Sequence, residues 1–595
     1  MGKFEAVEDN FVSVSVRVYR LSCAALLLSG LSLGTLADAQ TRMAFAPVAS
    51  DSAPRDDENA DVAFQRAISL IRAAQWDNAR AQIDAIADRT LASFARAELF
   101  LAAGSPRVDG NELRSLIIEA PQIPQAAQLG RLAQTRGVSD IPSIPAAQRL
   151  TWAGSSPRRG NPRSIQDSAI GPVRSAIQRR ITEDDPAGAE AILSGVESSL
   201  SNEALTEWRQ RVAWSYYIEN DDTNARRLAA LAQTGSGDWV AMADWTQGLA
   251  SWRQNDCRSA MAAFRNVAGR AHDPEIEAQG HFWYARAATA CGEAHEAQPA
   301  LRRAATLDET FYGLLAAEML GIEPDMRTPE TSRSARQRIE SHPNVRAAKL
   351  LARSGDYALA DETLRHQARI GDASDHAALA SLAGELGLPE TQLFLAHNAP
   401  RGVRPAVAAR FPAPQWVPAG GWRIDPALVF AHTLQESQFR RNVVSPAGAV
   451  GLMQLRPGTA GDMGLRNMGG NLTDPATNLA LGQAYIEYLR DGSVTGGLLP
   501  KVIAAYNAGP APVARWNTEV RDNGDPLLFI ESIPYWETRA YVGIVLRNLW
   551  IYEAQMGRHS ASRAELAQGR WPRVPAAPRE LASGGSASVS TLQSN

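Results

Sequence analysis

Between residues 61 and 405 one pattern keeps returning: two Ala-rich amphipathic helices joined by a tight polar turn. Ala63–Ile86 turns at Ala74-Gln75-Trp76-Asp77, and Trp245–Val267 at Arg253-Gln254-Asn255-Asp256. Trp283–Ala305 turns at Cys291-Gly292-Glu293, and Ala347–Arg369 at Ser354-Gly355-Asp356-Tyr357. The turns at Asn255-Asp256 and Gly292-Glu293 lie 37 residues apart. A lone helical hairpin cannot bury its apolar face, so hairpins at such a period stack on their neighbours into a curved solenoid. The expected fold class is therefore all-α, with no strand in this region. Trp208, Trp214, Trp245, Trp252 and Trp283 read as solenoid core. The stretch from Thr151 to Pro172 is poor in helix formers and reads as a loop that interrupts the stack.

With 595 residues the chain has room for several domains. Its net charge of −4 gives no strong field, which argues against a nucleic-acid partner. Residues 21–36 are apolar but short and rich in Gly and Ser. Arg17 and Arg20 precede them and Ala37-Asp38-Ala39 follows, the arrangement of a cleavable secretory signal over residues 1–39. The acidic residues before Arg17 do not suit such a signal and point to a start codon placed too far upstream. Residues 40–60 lack any period and read as a linker, and 397–423 are dense in Pro and Gly and read as a hinge. A second domain is expected over 411–560, with a disordered Pro-, Ala-, Ser- and Gly-rich tail over 561–595. Once Cys23 leaves with the signal, Cys257 and Cys291 remain. An exported chain with one such pair is compatible with a disulfide or with two buried free thiols. No Cys and His spacing suits a metal, and no cofactor is expected.

Within the second domain, Asp425-Pro426 provides an N-cap and a first-turn proline for a helix that is apolar on almost every side. Glu436 closes that helix, with Thr433, His432 and Val429 on its face. Partial burial and the negative end of the helix dipole both disfavour a carboxylate, so its pKa should rise. A carboxylic acid that stays protonated near neutrality is what general acid catalysis requires. Ser445 and Gln454 then supply hydrogen-bonding groups among small residues that let backbone approach a ligand.

The pair Glu436-Ser437 followed by SPAGAVGLMQLRPGTA closely resembles the catalytic motif of the soluble lytic transglycosylase family, which cleaves bacterial peptidoglycan. Arg456, before Pro457, departs from the Met usual there. The likeness extends to residues 280–297 and 308–321, similar to the closing part of the family's helical superhelix, where helices form a ring bearing a lysozyme-like, mainly α-helical catalytic domain. It implies a single catalytic acid/base, Glu436. It also implies substrate-binding roles for Ser445, Met453, Gln454, and Tyr506 and Asn507 of the AYNAG motif, with Glu537 bordering the groove. Asn478 and Gly482 match a further family pattern, and Gly482 reads as a close helix contact.

The resemblance implies cleavage between N-acetylmuramic acid and N-acetylglucosamine, with the muramyl 6-hydroxyl as internal nucleophile and a 1,6-anhydromuramyl end as product. Two rivals remain open at this point: a lysozyme-like hydrolase that uses water, and a non-catalytic cell-wall-binding scaffold. The expected partner is the peptidoglycan glycan strand, with cell-wall proteins as further candidates on the solenoid. The expected location is the periplasm, with no transmembrane anchor after signal cleavage.

Overall fold

The computed structural model describes residues 56–326 and 331–578. The signal over 1–39, most of the linker over 40–60 and the last part of the tail lie outside them. Among the described residues there are twenty-seven α-helices and a single ribbon of two two-residue strands, so the all-α expectation holds. The ribbon pairs Thr151–Trp152 with Asn398–Ala399 antiparallel, a small correction to the strand-free reading of 61–405. Helix Asp56–Arg72 begins inside the stretch expected as linker.

The hairpins form where the turns direct them. At three turns an aspartate (Asp221, Asp256 or Asp356) caps the second helix with its carboxylate, whereas Gln75 and Glu293 hold that position at two others without a side-chain cap bond. Asn255 takes a left-handed backbone just before its aspartate, as does Gly355. Trp208, Trp245 and Trp283 are fully buried, and Trp214 and Trp252 pack partly buried against the same core, as expected. Cys257 and Cys291, at the turns of successive hairpins, are joined in a disulfide with Cα atoms 5.5 Å apart.

Two apolar cores organise the described chain. One joins the N-terminal helices, residues 60–133, to the helices over 339–395. Gln65 donates to the Ser354 carbonyl at 2.7 Å, Arg346 pairs with Asp88 at 3.0 Å and Asn344 donates to the Gln122 carbonyl at 2.8 Å. The chain thus folds back on its own start. The other core runs through residues 170–326 and on into the C-terminal helices without a break. Phe311 stacks on Trp550 at 5.1 Å, Arg159 and Tyr312 both bind Glu531, and Arg286 pairs with Asp525. The Pro/Gly-rich hinge is a change of composition, but no gap in the core follows it.

The expected disordered tail is corrected for its first eighteen residues. Ala561–Ala567 is a helix capped by Ser560, and the Trp550 indole donates to Ser562. Beyond it the backbone bridges Leu498 to Arg573 and Ile424 to Ala576. The tail is a strap across two helices of the C-terminal domain, so that domain extends past 560 to at least Pro578. Composition missed this because its anchors are a few backbone bonds and Trp571, with no period.

Candidate active site

The helix Pro426–Ser437 runs through the middle of the C-terminal domain. Asp425 accepts from the Ala427 amide at its start and is held by both guanidinium nitrogens of Arg558, at 2.6 and 2.9 Å. Residues 427–431 are wholly buried. The helix stops because Gln438 and Phe439 both take left-handed backbone, with φ of 53° and 62°. Phe439 is thereby driven under Trp416 and Phe430, and Glu436 is left half-buried on the last turn.

Burial pushes the Glu436 carboxyl up to about 7, the direction expected; the neighbouring Glu537 carboxylate adds to the rise, and a hydrogen bond from Tyr541 opposes it. That bond runs from the Tyr541 hydroxyl to Oε1 at 2.6 Å. Tyr541 lies on the helix Trp536–Gln555, which packs against the Glu436 helix. Nδ1 of His432 lies 2.8 Å from the same hydroxyl, and burial pushes that imidazole down to about 3, so it is neutral. Sequence reasoning missed Tyr541. The only signal was a tyrosine four residues after Glu537 in a helix already assigned to the site.

The loop after Glu436 folds back twice through backbone bridges Val444 to Val450 and Val450 to Leu455. The Ser445 hydroxyl accepts from the Ala449 amide, and the Gln454 amide donates to the carbonyls of Val443 and Gly451. Both side chains thus shape the loop from within. Gly451 has φ of +78°, and a Cβ there would lie 2.3 Å from the Leu472 carbonyl oxygen and 2.4 Å from Asn478 Nδ2. Asn478 ties the loop to helix Pro475–Asp491. Its Oδ1 accepts from the Met453 amide, and its Nδ2 donates to the carbonyls of Val450 and Leu472. Gly482 is the close contact expected: a Cβ there would meet the Met453 sulfur at 2.0 Å.

Met453 is wholly buried, so it forms floor under the loop. Tyr506, on helix Leu499–Ala508, is also buried. Its ring packs 4.4 Å from His432, and its hydroxyl donates to the Met453 carbonyl at 2.9 Å. Asn507 is half-buried, and its Oδ1 accepts from Thr538 at 2.6 Å, which leaves its amide nitrogen for other partners. Glu537 is exposed in the first turn of the Trp536–Gln555 helix. The structure therefore links Tyr506 and Glu537 to the helix that ends in Glu436, and Met453 to Tyr506, while Ser445 and Gln454 stay within the loop that follows it. Met453 and Tyr506 are buried, whereas Glu436 and Asn507 are half-buried and Glu537 is exposed.

Fold and site together define a class: a helical superhelix bearing a helical domain whose central helix ends in a half-buried carboxylic acid, Glu436. Comparison with known proteins agrees. The family model described as Transglycosylase SLT domain matches residues 418–529. The chain is 37% identical over 143 residues to the soluble lytic murein transglycosylase of Escherichia coli strain K12, a match covering 23% of this chain and 22% of that one. It is 32% identical over 143 residues to the endo-type membrane-bound lytic murein transglycosylase A of Klebsiella pneumoniae strain 342, covering 21% of this chain and 70% of that one. In three dimensions it superposes on the 70 kDa soluble lytic transglycosylase of Escherichia coli with a TM-score of 0.52. That likeness covers 87% of this chain and 99% of that one at 18% identity, and so speaks for the fold alone. The chain belongs to the soluble lytic transglycosylase family. Its sequence match spans about a fifth of the soluble relatives' length.

Proposed function

We propose that the chain is a peptidoglycan lytic transglycosylase with Glu436 as its single acid/base. The observation that carries this reading is one half-buried carboxyl, pushed up to about 7 and bound by Tyr541, in the domain that the family model matches. In its acid form Glu436 protonates the glycosidic oxygen between N-acetylmuramic acid and N-acetylglucosamine, and the C1–O bond breaks. The muramyl N-acetyl group stabilises the cationic carbon left behind. The carboxylate of Glu436 then takes the proton of the same sugar's 6-hydroxyl as that oxygen bonds to C1. One bond breaks, one forms, the proton returns to Glu436, and no water is consumed. Proximity favours this internal attack over water.

Asn507 and Glu537 border the glycan in this reading. Ser445, Gln454, Met453 and Tyr506 hold the wall and floor against which it lies. Residues 61–405 form the superhelical domain and the catalytic domain runs from 411 to the end of the strap. The chain acts outside the cytoplasm after removal of residues 1–39, and among the described residues no helix is long and apolar enough to cross a membrane. N-terminal sequencing of the exported protein, expected to begin near Gln40, tests that location.

The deciding experiment is mass spectrometry of muropeptides released from purified sacculi. Anhydro ends, lighter by one water than hydrolysed ends, are expected. Reducing ends alone would establish the hydrolase, and no release would establish the binding scaffold.

A further inference from the structure

The helix Trp536–Gln555 carries both Glu537 and Tyr541, and its first turns have two working faces. On the site side Thr538 donates to Asn507 and Tyr541 donates to Glu436, each at 2.6 Å. On the other side, the chain that leads into the helix is held by the superhelix. Glu531, which ends helix Pro526–Glu531, receives Arg159 at 2.6 Å and the Tyr312 hydroxyl at 2.7 Å. Ser532 bonds the Tyr217 hydroxyl at 2.6 Å. Arg539 donates to the Ile533 carbonyl, and its guanidinium lies 4.2 Å from the centre of the Trp214 ring.

Arg159 is the centre of this seat. Its guanidinium lies 5.6 Å from the Trp245 ring of the superhelix and 5.3 Å from the ring of Trp536, the first residue of the helix. One flat cation thus joins an aromatic face of each domain while pairing with Glu531. The irregular loop over 153–166 that carries Arg159 is pinned on both sides. The Pro157 carbonyl accepts from Arg547, further along the same helix, and Ser164 with the Ile165 amide binds Glu207. Glu275 and Arg539 are the other buried charges that face Arg159.

Trp536 comes five positions before Tyr541, a rise of about 7.5 Å along one helix, so a shift at Trp536 reaches the Tyr541 hydroxyl nearly whole. An O–H···O bond keeps its strength only to about 3.0 Å, so a displacement of half an ångström or so already weakens it. We propose that Arg159 is a positioning residue for Glu436: by fixing the start of the Trp536–Gln555 helix on the superhelix, it sets the hydrogen bond that Tyr541 gives the acid. The superhelix then tunes the acid without touching the glycan. The inference rests on the reading of Glu436 as acid/base. The ionisable groups that face Glu436 are Tyr541, Glu537 and Tyr506, with His432 behind Tyr541, and the first two of them stand on the helix that Arg159 seats.

Its test reads the Glu436 pKa without substrate. The melting-temperature gap between a protein and its Glu436→Gln derivative widens with pH until the folded pKa is passed, and then stays constant. With Arg159→Met that plateau should begin about half a pH unit higher than in wild type, because a hydrogen bond that favours the carboxylate is weakened. Arg159→Met leaves the Glu531 carboxylate buried against Tyr312 alone, so the Arg159→Met, Glu531→Gln pair, which removes both charges, is made beside it and should show the same shift. Arg159→Lys keeps the charge but loses the flat stacking face, and should fall between. In the Tyr541→Phe background Arg159→Met should add nothing, since both act through one bond. Arg286→Met is the control. It breaks an ion pair of the same 2.6 Å, to Asp525 at the opposite end of the Pro526–Glu531 helix, and should leave the plateau in place. On sacculi, kcat of the Arg159→Met, Glu531→Gln pair should fall about tenfold, with its alkaline limb moved up alongside the plateau. An unmoved plateau in that pair, an equal shift in Arg286→Met, or a full shift in the Tyr541→Phe background overturns the proposal, whatever products the glycan gives. A moved plateau in a protein that releases no anhydro ends supports the positioning role and counts against the lytic reading alone.

Discussion

Tyr541 donates its phenolic proton to Oε1 of Glu436 across 2.6 Å. With that proton spent, the phenolic oxygen can only accept from His432, 2.8 Å away, so the neutral imidazole carries its hydrogen on Nδ1. The relay runs one way, from His432 through Tyr541 to Glu436. It occupies one carboxyl oxygen and, in the function proposed above, leaves Oε2 to carry the proton that is delivered. An acid with one oxygen clamped and the other free is positioned before substrate arrives, which is where enzymes gain most of their advantage in orientation.

Replacing Tyr541 by Phe removes a bond that favours the carboxylate, so the Glu436 pKa should move further up from about 7. The free enzyme needs the protonated acid, and the alkaline limb of kcat/KM should therefore move to higher pH. Loss of positioning should lower kcat by about 10- to 100-fold. A pH–rate profile on soluble glycan strands checks both, and an unmoved limb would remove Tyr541 from the site.

Why Glu436 was legible in the sequence and Tyr541 was not follows from where their information lies. Asp425-Pro426, the apolar run and Glu436-Ser437 are local signals, and each specifies helix start, burial or acid within a dozen residues. Tyr541 comes 105 positions later. Its meaning arises only where two helices cross, and in sequence a tyrosine within an apolar helix reads as core. Tyr506 shows the converse. Its motif drew attention to a groove role, yet its hydroxyl is bound to the Met453 carbonyl beneath the site. The strap escaped notice because ordering by tertiary backbone bonds leaves no periodic trace.

Two glycines in the loop separate strain from space. Gly448 and Gly451 both have φ of +78°, but a Cβ on Gly448 meets nothing within 4 Å, whereas one on Gly451 meets the Leu472 carbonyl at 2.3 Å. Gly448→Ala should cost about 1–2 kcal/mol for left-handed backbone alone. Gly451→Ala adds displacement of Asn478 and should cost roughly 1–3 kcal/mol more. Urea unfolding of the two variants side by side should give that order; equal losses would show that the loop yields freely.

The strap makes a prediction about chain length. Ending the chain after residue 560 removes Leu566, the Ser562 partner of the Trp550 indole, and the backbone bridges to Leu498 and Ile424. It also frees Glu318 from Arg563, a contact of 2.7 Å between superhelix and strap. A chain ended after Pro578 keeps all of these. The shorter chain should melt several degrees lower, on the order of the loss of one buried leucine and one indole hydrogen bond, ~2–4 kcal/mol. Differential scanning calorimetry of the two truncations decides it, and equal melting temperatures would make the strap energetically idle.

Glu436→Gln carries both an activity and a stability prediction. Gln is nearly isosteric and cannot deliver a proton, so turnover on sacculi should fall by at least ~10²–10⁴-fold. Glu537→Gln, which removes an exposed carboxylate from the first turn of another helix, should cost far less. The stability change has a sign fixed by linkage. The Glu436 pKa is raised by folding from 4.5 to about 7, so the folded state holds the extra proton. Its contribution is complete below 4.5 and is lost as pH rises through about 7. Gln has no such loss. The variant should therefore match wild type in melting temperature near pH 4 and exceed it progressively toward pH 8, by roughly 1–3 kcal/mol at the upper end. If instead the two curves stay parallel across that range, Glu436 ionises in the folded protein as it does in the unfolded chain. The acid would then lack the proton that the chemistry asks of it, and the assignment would fall with it.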